Sequence, residues 1–120
     1  MRRLMIADSS DIVRTVAKRI LSELGFMVAE TSSDQQALRA CSADMPDVLI
    51  VDAHLEGALE LITAVRALEG SERVRIYYCL IEGDLKKMMA GKRAGADDFL
   101  LKPFDRKILS AVFGTAARVA

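Results

Sequence analysis

Acidic side chains follow two apolar stretches of the sequence, and a lysine follows a third. Asp8 ends the stretch MRRLMIAD, Asp52 ends VLIVD, and Lys102 follows FLL. Carboxylates that converge on one point bind a hard cation such as Mg²⁺. A carboxylate in such a site can attack a phosphoryl donor while a lysine neutralises the transferred charge. The three residues therefore suggest phosphoryl chemistry, whereas the simpler alternatives are helix caps or loop acids for the carboxylates and a solvated strand end for the lysine.

Apolar runs alternate with helical patterns along the whole chain. The runs are apolar at successive positions, which is typical of parallel strands covered by helices on both faces. They are LMIA (4–7), FMVAET (26–31), VLIV (48–51), IYYCLI (76–81) and FLL (99–101). Because strand and helix alternate five times, the pattern predicts an α/β fold with a doubly wound five-stranded parallel sheet flanked by five helices.

The segments between the runs have helical spacing. The first is predicted to begin at Ser10 or Asp11 and to end at Gly25. Its apolar stripe is Ile12, Val13, Val16, Ile20, Leu21 and Leu24. Later segments are marked by Ala37, Leu38 and Cys41, by Leu61, Ile62, Val65 and Leu68, by Leu85, Met88 and Met89, and by Ile108, Leu109, Val112 and Phe113. We expect these stripes, and the methionines in general, to pack in the core.

The composition of the chain limits the classes of protein to which it can belong. The chain has 120 residues, of which 52% are hydrophobic and 28% charged, so we expect one globular domain, 1–120. Lys plus Arg equals Asp plus Glu at 17 each, which offers no overall electrostatic case for nucleic acid or membrane binding. The opening apolar run is too short for a signal peptide, so a cytoplasmic protein is expected. Cys41 and Cys79 are expected to be buried, reduced thiols.

The chain resembles bacterial response-regulator receiver domains, close to the stand-alone CheY-like type. The resemblance covers nearly the whole chain and is carried by Asp8, ILSELGF, MPDVLIVD and, most specifically, RAGADDFLLKPF. It implies strand order 2-1-3-4-5, Asp52 as the phosphoacceptor, Lys102 as the contact to the phosphoryl group and a cis peptide bond between Lys102 and Pro103. It also implies a Mg²⁺ ion held by Asp8, Asp52 and the backbone carbonyl of His54, with Ser9 as a further candidate ligand.

Three features depart from the pattern of that family, namely Ser9, Leu80 and the turn after Asp52, whereas a phenylalanine such as Phe99 is a common variant at its position. Ser9 replaces the second acid after strand one, and a neutral hydroxyl is a poorer Mg²⁺ ligand, so weak metal binding is expected. Leu80 takes the switch position where the family has Thr or Ser, and Leu80 cannot hydrogen-bond a phosphoryl group. Phe99 takes the aromatic switch position. The turn HLEGALEL after Asp52 is about two residues shorter than the family's MPxMDG segment and lacks its proline.

The resemblance implies a non-enzymatic, single-domain receiver of two-component signalling. Asp52 would accept a phosphoryl group from a histidine kinase or phosphotransfer protein. Because the chain ends just after helix five, the output would be a downstream protein bound near helix four, strand five and helix five, with the chain monomeric or weakly dimeric. The alternatives are a degenerate receiver that serves as a phosphorylation-independent interaction module and a small flavodoxin-like flavin carrier.

Overall fold

A computed structural model describes residues 2–119, and the side chains of residues 2–114. These residues form five strands and five α-helices that alternate along the chain. The strands are β1 (Arg3–Ala7), β2 (Met27–Thr31), β3 (Val48–Asp52), β4 (Arg75–Leu80) and β5 (Asp98–Leu101). The helices are α1 (Asp11–Glu23), α2 (Asp34–Ala43), α3 (Ala58–Arg66), α4 (Leu85–Ala94) and α5 (Arg106–Val119). A short 3₁₀ helix over Ser71–Arg73, which the sequence patterns did not predict, precedes β4.

The strands form one parallel sheet in the order β2-β1-β3-β4-β5, as predicted. Helices α1 and α5 cover one face and enclose a core that includes Ile6, Leu21 and Phe113. Helices α2, α3 and α4 cover the other face, where the core includes Val51, Ile62 and Leu80. The sheet order leaves β2 and β5 as its two edges. All three central strands are therefore sandwiched between helices, which explains their continuous apolar sequences.

Local signals in the sequence set the ends of the helices. Ser10 caps α1, and its hydroxyl accepts a hydrogen bond from the Val13 amide at 3.2 Å. Asp84 caps α4 in the same way through the amide of Lys86 at 2.9 Å. Gly95 follows α4 with a φ of 126°, a backbone conformation that a side chain would strain. These residues fix where α1 and α4 begin and where α4 ends, and therefore where the neighbouring loops start.

Several apolar residues predicted to lie in the core are exposed. In α1 the buried face is formed by Ala17, Ile20 and Leu21, whereas Ile12 is 77% and Val16 43% exposed. The apolar stripe of α1 includes residues that do not contact the sheet, so Ile12 and Val16 in the first half of the helix lie outside the core. Other apolar residues that lie outside the core are Met27, Met89 and Val112.

Two smaller features complete the comparison with the predicted elements. Ile81 lies outside β4 and is 62% exposed, while Asp52 is the last residue of β3 and not the first after it. Cys41 and Cys79 are both buried and free, as predicted. Within residues 2–119, none of the helices has the length and apolarity that crossing a bilayer requires.

Candidate functional site

The carboxyl end of the sheet brings the three predicted residues together. Asp8 directly follows β1, Asp52 ends the neighbouring strand β3, and Lys102 directly follows β5 at the sheet edge. The long side chain of Lys102 reaches across β4, so that its Nζ lies 2.7 Å from Oδ2 of Asp8 and 3.0 Å from Oδ1 of Asp52. The sequence prediction that these residues share one site is confirmed.

Burial makes this ion-paired cluster electrostatically strong. Asp8 is 2% and Asp52 4% exposed, and the side chain of Lys102 is 15% exposed. Burial opposes the charge on Lys102, but its contacts with Asp8 and Asp52 outweigh that effect and raise the pKa of the lysine above its ordinary value. The ammonium therefore stays charged and holds two carboxylates close together that would otherwise repel each other.

The two carboxylates are held differently. Asp8 is fixed on several sides: Oδ1 accepts a hydrogen bond from the Ser10 amide at 2.9 Å, and its backbone carbonyl accepts one from Nη1 of Arg14 at 2.5 Å. By contrast, Oδ1 of Asp52 is buried and has no well-directed hydrogen bond, because Lys102 lies near it without the required alignment. Asp52 is therefore the less restrained carboxylate and retains acceptor capacity for a further group.

Arg14 is a site residue that sequence analysis missed. Besides the Asp8 carbonyl, its guanidinium contacts Asp11 and lies 3.3 Å from Glu30 of β2. An arginine on the first turns of a helix is unremarkable in sequence, and only the tertiary structure directs it back to the end of β1. Its side chain links β1, α1 and β2 behind Asp8, which stabilises the position of that carboxylate.

The carboxylates of Asp8 and Asp52 supply part of the ligand set that a hard divalent cation needs. Mg²⁺ commonly uses one or two carboxylates and fills the rest of its shell with water or phosphate oxygens. Asp8 and Asp52 supply those two carboxylates, and Oδ1 of Asp52 accepts no well-directed hydrogen bond from the described residues although Lys102 Nζ lies 3.0 Å from it. The described part of the chain contains no cluster of three or more His, Cys, Asp or Glu ligands. Since Lys102 already contacts both carboxylates, a cation here competes with its ammonium.

The remaining predicted residues surround the cluster in different environments. Ser9 and His54 are exposed, and each lies two residues beyond the last residue of a strand, β1 for Ser9 and β3 for His54. Leu80 is only 2% exposed at the end of β4, where its carbonyl accepts a hydrogen bond from the Lys102 amide at 2.8 Å. Phe99 is half-buried on β5 against the α3 and α4 side of the core. The peptide bond between Lys102 and Pro103 is cis, as expected.

The turn after Asp52 is short and tightly held. The amide of Ala53 donates to the carbonyl of Cys79 at 2.8 Å, and the amide of Leu55 donates to the carbonyl of Asp52 at 3.1 Å. Gly57 then begins α3 with a φ of 78°, and a Cβ at that position would lie 2.3 Å from Oδ2 of Asp34. Glycine is therefore required there both by conformation and by the approach of α2.

Two concavities open beside the cluster. An apolar groove of about 480 Å³ ends at Lys102 and is lined by Ile12, Val13, Val16, Ile81, Pro103 and Phe104. A smaller, more polar depression of about 110 Å³ lies on the other side and is lined by His54, Leu80, Ile81, Glu82 and Lys87. The groove explains the exposure of the first turn of α1: those side chains form its wall.

Comparisons with known proteins agree with this geometry. The family model for the response regulator receiver domain matches residues 4–113. The chain is 30% identical to the chemotaxis protein CheY of Bacillus subtilis over 92% of this chain and 93% of that protein. It is 31% identical to the transcriptional regulatory protein PrrA of Mycobacterium tuberculosis over 86% of this chain. Because the match covers 44% of PrrA, the chain spans less than half the length of that relative.

Solved structures of the same fold include chemotaxis proteins and kinase receiver domains. CheY4 of Vibrio cholerae superimposes with a TM-score of 0.88 at 26% identity, covering 100% of this chain and 99% of that one. The receiver domain of the sensor histidine kinase PA1611 of Pseudomonas aeruginosa, which has a magnesium ion in its active-site cleft, gives a TM-score of 0.84 at 24% identity over 95% of each chain. With its strand order, its acid and lysine cluster and its matched family model, the chain belongs to the response-regulator receiver domain family of two-component signalling.

Proposed function

We propose that this chain accepts a phosphoryl group on Asp52 and works as a signalling protein, not as an enzyme. The observation that supports this most strongly is the contact of Lys102 Nζ with the carboxylates of both Asp8 and Asp52, at 2.7 and 3.0 Å. A buried nucleophile, a neighbouring acid and a fixed cation form the minimal set that acyl phosphate formation needs. Receiver domains are phosphorylated on aspartate as a family, and residues 4–113 match that family. Asp52, the buried acid that ends β3, is our candidate for that aspartate.

The proposed reaction is a single displacement at phosphorus. A carboxylate oxygen of Asp52 attacks the phosphoryl group, the bond from phosphorus to the donor breaks, and the donor leaves with the electron pair of that bond. Lys102 moves its contact from Asp52 to the incoming phosphoryl oxygens and neutralises part of their charge. Asp8 remains fixed by Ser10 and Arg14, so it keeps one partner of Lys102 in place.

Mg²⁺ is part of this proposal as a weakly held cofactor. Asp8 and Asp52 would hold it, together with the backbone carbonyl of His54 and with Ser9 as a weak neutral ligand. When bound, the cation would supply positive charge to the transferred group. The exposed hydroxyl of Ser9 replaces a carboxylate, so we expect a lower affinity for Mg²⁺ than two adjacent acids would give.

The donor in this proposal is a histidine kinase or a phosphotransfer protein. The groove is lined in part by Lys102, the residue whose ammonium contacts Asp52, and offers an apolar surface next to it. Ile12, Val16 and Ile81 are exposed there although they are apolar, which is typical of a surface that another protein covers. A protein seated in this groove would bring its phosphohistidine beside Lys102, the residue that contacts Asp52.

Intact-mass measurement after incubation with acetyl phosphate and Mg²⁺ tests the proposal. The wild type should gain the mass of one phosphoryl group, and Asp52→Asn should gain none. Asp44→Asn is the matched control, because Asp44 is exposed and pairs with Arg3 at the start of β1, the end opposite Asp8, and it should behave like the wild type. Equal labelling of wild type and Asp52→Asn would contradict the proposal.

The second candidate function is a phosphorylation-independent interaction module, which the burial of Leu80 favours. Leu80 fills the place of a hydroxyl with an apolar side chain that is 2% exposed. If wild type takes up no phosphoryl group but the double variant Ser9→Asp, Leu80→Thr does, the interaction module is the better description.

A further inference from the structure

Two cations on α1 pair with a single acid on the edge strand β2. Nε of Arg14 lies 3.3 Å and Nζ of Lys18 3.6 Å from the carboxylate of Glu30. Arg14 is one turn nearer the start of α1, where the chain arrives from the carboxyl end of β1. Its side chain is 12% exposed, against 52% for Lys18. The two ion pairs therefore share an acid but differ in their surroundings, since that of Arg14 lies beside the acid and lysine cluster.

Asp8 lies at the point where the chain leaves the sheet. Ala7, the last residue of β1, pairs in register with Thr31 of β2, and the Asp8 amide donates to the Thr31 carbonyl at 3.1 Å. The Asp8 carbonyl accepts a hydrogen bond from Nη1 of Arg14 at 2.5 Å. The guanidinium therefore extends the hydrogen bonding of β1 by one residue beyond the strand, at the residue whose carboxylate contacts Lys102.

Glu30 fixes that guanidinium relative to the sheet. Glu30 lies on β2, in register with Ile6 of β1, and its carboxylate accepts a hydrogen bond from Nε of Arg14. The contact of Arg14 with Asp11 joins two residues of the same helix, and the side chain of Asp11 is 89% exposed. A partner on the same helix cannot set the distance between α1 and the sheet. Glu30 is therefore the acid that holds Arg14 where it meets Asp8.

We propose that Glu30 is a positioning residue for the phosphoryl reaction and acts through Arg14 on Asp8. Glu30 holds Arg14, and Arg14 holds the backbone carbonyl of Asp8. Through its carboxylate, Asp8 keeps one side of Lys102, whose other contact is Asp52. An acid on the edge strand thus sets the geometry of the nucleophile two strands away. The effect on the reaction rests on the proposed function, but the placement of Asp8 does not.

The placement of Asp8 matters because it decides how Lys102 is shared. Nζ of Lys102 lies 2.7 Å from Asp8 and 3.0 Å from Asp52, so the ammonium is divided between the two acids. When Asp8 is displaced, the ammonium closes on Asp52 alone, which ties up the nucleophile and withholds the lysine from the incoming phosphoryl group. A misplacement of about 1 Å at a reacting site can slow a reaction by about 100-fold.

The initial rate of phosphoryl uptake from acetyl phosphate and Mg²⁺, followed by intact mass, tests the role in the reaction. Arg14→Met should slow uptake at least about tenfold, as removal of a partner that orients a reacting group typically does. Arg14→Lys keeps the charge but not the guanidinium fork and should slow uptake less. Lys18→Met is the matched control, because it removes a cation from the same acid one turn further along α1, and it should stay within about twofold of the wild type. Equal slowing in Arg14→Met and Lys18→Met would overturn the inference.

A double variant shows whether Glu30 acts through Arg14. Glu30→Met alone should slow uptake at least about threefold. The double variant Glu30→Met, Arg14→Met should be no slower than Arg14→Met, because the second substitution removes a link that is already broken. Losses that multiply in the double variant would overturn the inference. Rates are compared under conditions in which urea unfolding shows each variant to be folded, and Arg14→Lys with Glu30→Met carries the test if Arg14→Met does not fold.

NMR of the unphosphorylated protein reads the placement of Asp8 without any reaction. The Ser10 amide donates to Oδ1 of Asp8 at 2.9 Å, and the ε-methylene of Lys102 adjoins the ammonium on Oδ2, so both signals follow the carboxylate. Both should shift in Glu30→Met and stay unchanged in Lys18→Met. Unchanged signals in Glu30→Met would overturn the inference. A wild type that takes up no phosphoryl group would overturn the proposed function, and these signals would then decide the placement of Asp8 on their own.

Discussion

Two neighbouring regions at the carboxyl end of the sheet differ in their chemistry. The first is the charged cluster of Asp8, Asp52 and Lys102, in which buried acids share one ammonium. The second lies beside it on β4 and β5, where Leu80 and Tyr78 are buried and Phe99 is half-buried against α3 and α4. The charged cluster has the groups that capture of a phosphoryl group needs. The apolar region has no side-chain hydroxyl at the end of β4 with which to sense it.

This difference separates the capture of a phosphoryl group from the transmission of its effect to the rest of the protein. We propose that Leu80 takes the family position whose hydroxyl couples the phosphoryl group to the aromatic switch residue, and a leucine side chain cannot make that hydrogen bond. A phosphorylated form of this chain would therefore act through Lys102 and the bound cation alone. We expect only a modest change at Phe99 and α4 on phosphorylation.

Removal of the shared ammonium should have the largest effect. Lys102→Met leaves two buried carboxylates without their cation, which we expect to lower the free energy of unfolding by about 3 kcal/mol at neutral pH. Urea unfolding measures the loss. In the background of Asp8→Asn the same substitution should cost clearly less, because only one charged acid remains.

The matched control for that experiment is Lys92→Met. Lys92 is exposed on α4, so its removal should change stability by less than about 0.5 kcal/mol. A Lys102→Met loss of the same size in the wild-type and Asp8→Asn backgrounds would show that the cluster is not electrostatically coupled.

Restoring a hydroxyl at the end of β4 should have the next largest effect. Leu80→Thr removes buried apolar volume and buries a polar group, so the unphosphorylated protein should lose about 2 kcal/mol of stability. Treatment with acetyl phosphate and Mg²⁺ should recover part of this loss, since the new hydroxyl can donate to the phosphoryl group. Thermal unfolding with and without treatment measures the recovery.

Leu100→Thr is the control for that substitution. Leu100 is 3% exposed on the opposite face of the sheet, against α1 and α5. It should lose comparable stability and recover none of it after treatment. The same response in both variants would mean that position 80 has no special access to the phosphoryl group.

Alanine substitution should change stability by a smaller amount at two glycines, with opposite signs for Gly91 of α4 and Gly114 of α5. A Cβ at Gly91 would lie 2.4 Å from Cδ2 of the buried Tyr78 ring, whereas a Cβ at Gly114 of α5 would meet none of the described atoms within 4 Å. Gly91→Ala should therefore destabilise by about 1 kcal/mol, and Gly114→Ala should stabilise by up to about 1 kcal/mol through helix propensity. Equal shifts in midpoint would contradict a close-packed α4.

An effect that is absent at neutral pH concerns Cys79, whose backbone pairs in register with Asp52 between the two regions. Burial raises the pKa of its thiol from 9.0 to about 12; Lys102 opposes this, and Asp52 and Asp8 add to it. The folded state thus keeps a proton that the unfolded state loses. The resulting stability is present below pH 9 and is lost as the pH rises from 9 towards 12.

Denaturant unfolding between pH 8 and about pH 10 measures how the free energy of unfolding depends on the proton of Cys79. Cys79→Ala should reduce the fall of stability with pH by up to about 1.4 kcal/mol per pH unit above pH 9. The raised pKa values of Tyr78 and Lys102 act in the same direction and remain in the variant, so some slope should persist. Identical slopes would show that the Cys79 thiol is not protected by the fold.

Much of the fold and the centre of the site could be predicted because they depend on short-range patterns. Alternation of apolar runs and helices specifies the layers, and parallel strands necessarily carry Asp8, Asp52 and Lys102 to one end of the sheet. The exposure of Ile12 and Val16 could not be predicted, since a hydrophobic stripe does not reveal how much of a helix contacts the sheet. Arg14 could not be identified either, because long side chains take their partners from the tertiary structure.

Identification of the modified residue tests the central claim most directly. After incubation with acetyl phosphate and Mg²⁺, the acyl phosphate is trapped by borohydride reduction and located by peptide mass spectrometry. The charged cluster predicts modification at Asp52 in the wild type, and its loss in Lys102→Met. Modification of a different acid, or an unmodified Asp52 under conditions that label the Ser9→Asp, Leu80→Thr variant, would contradict it.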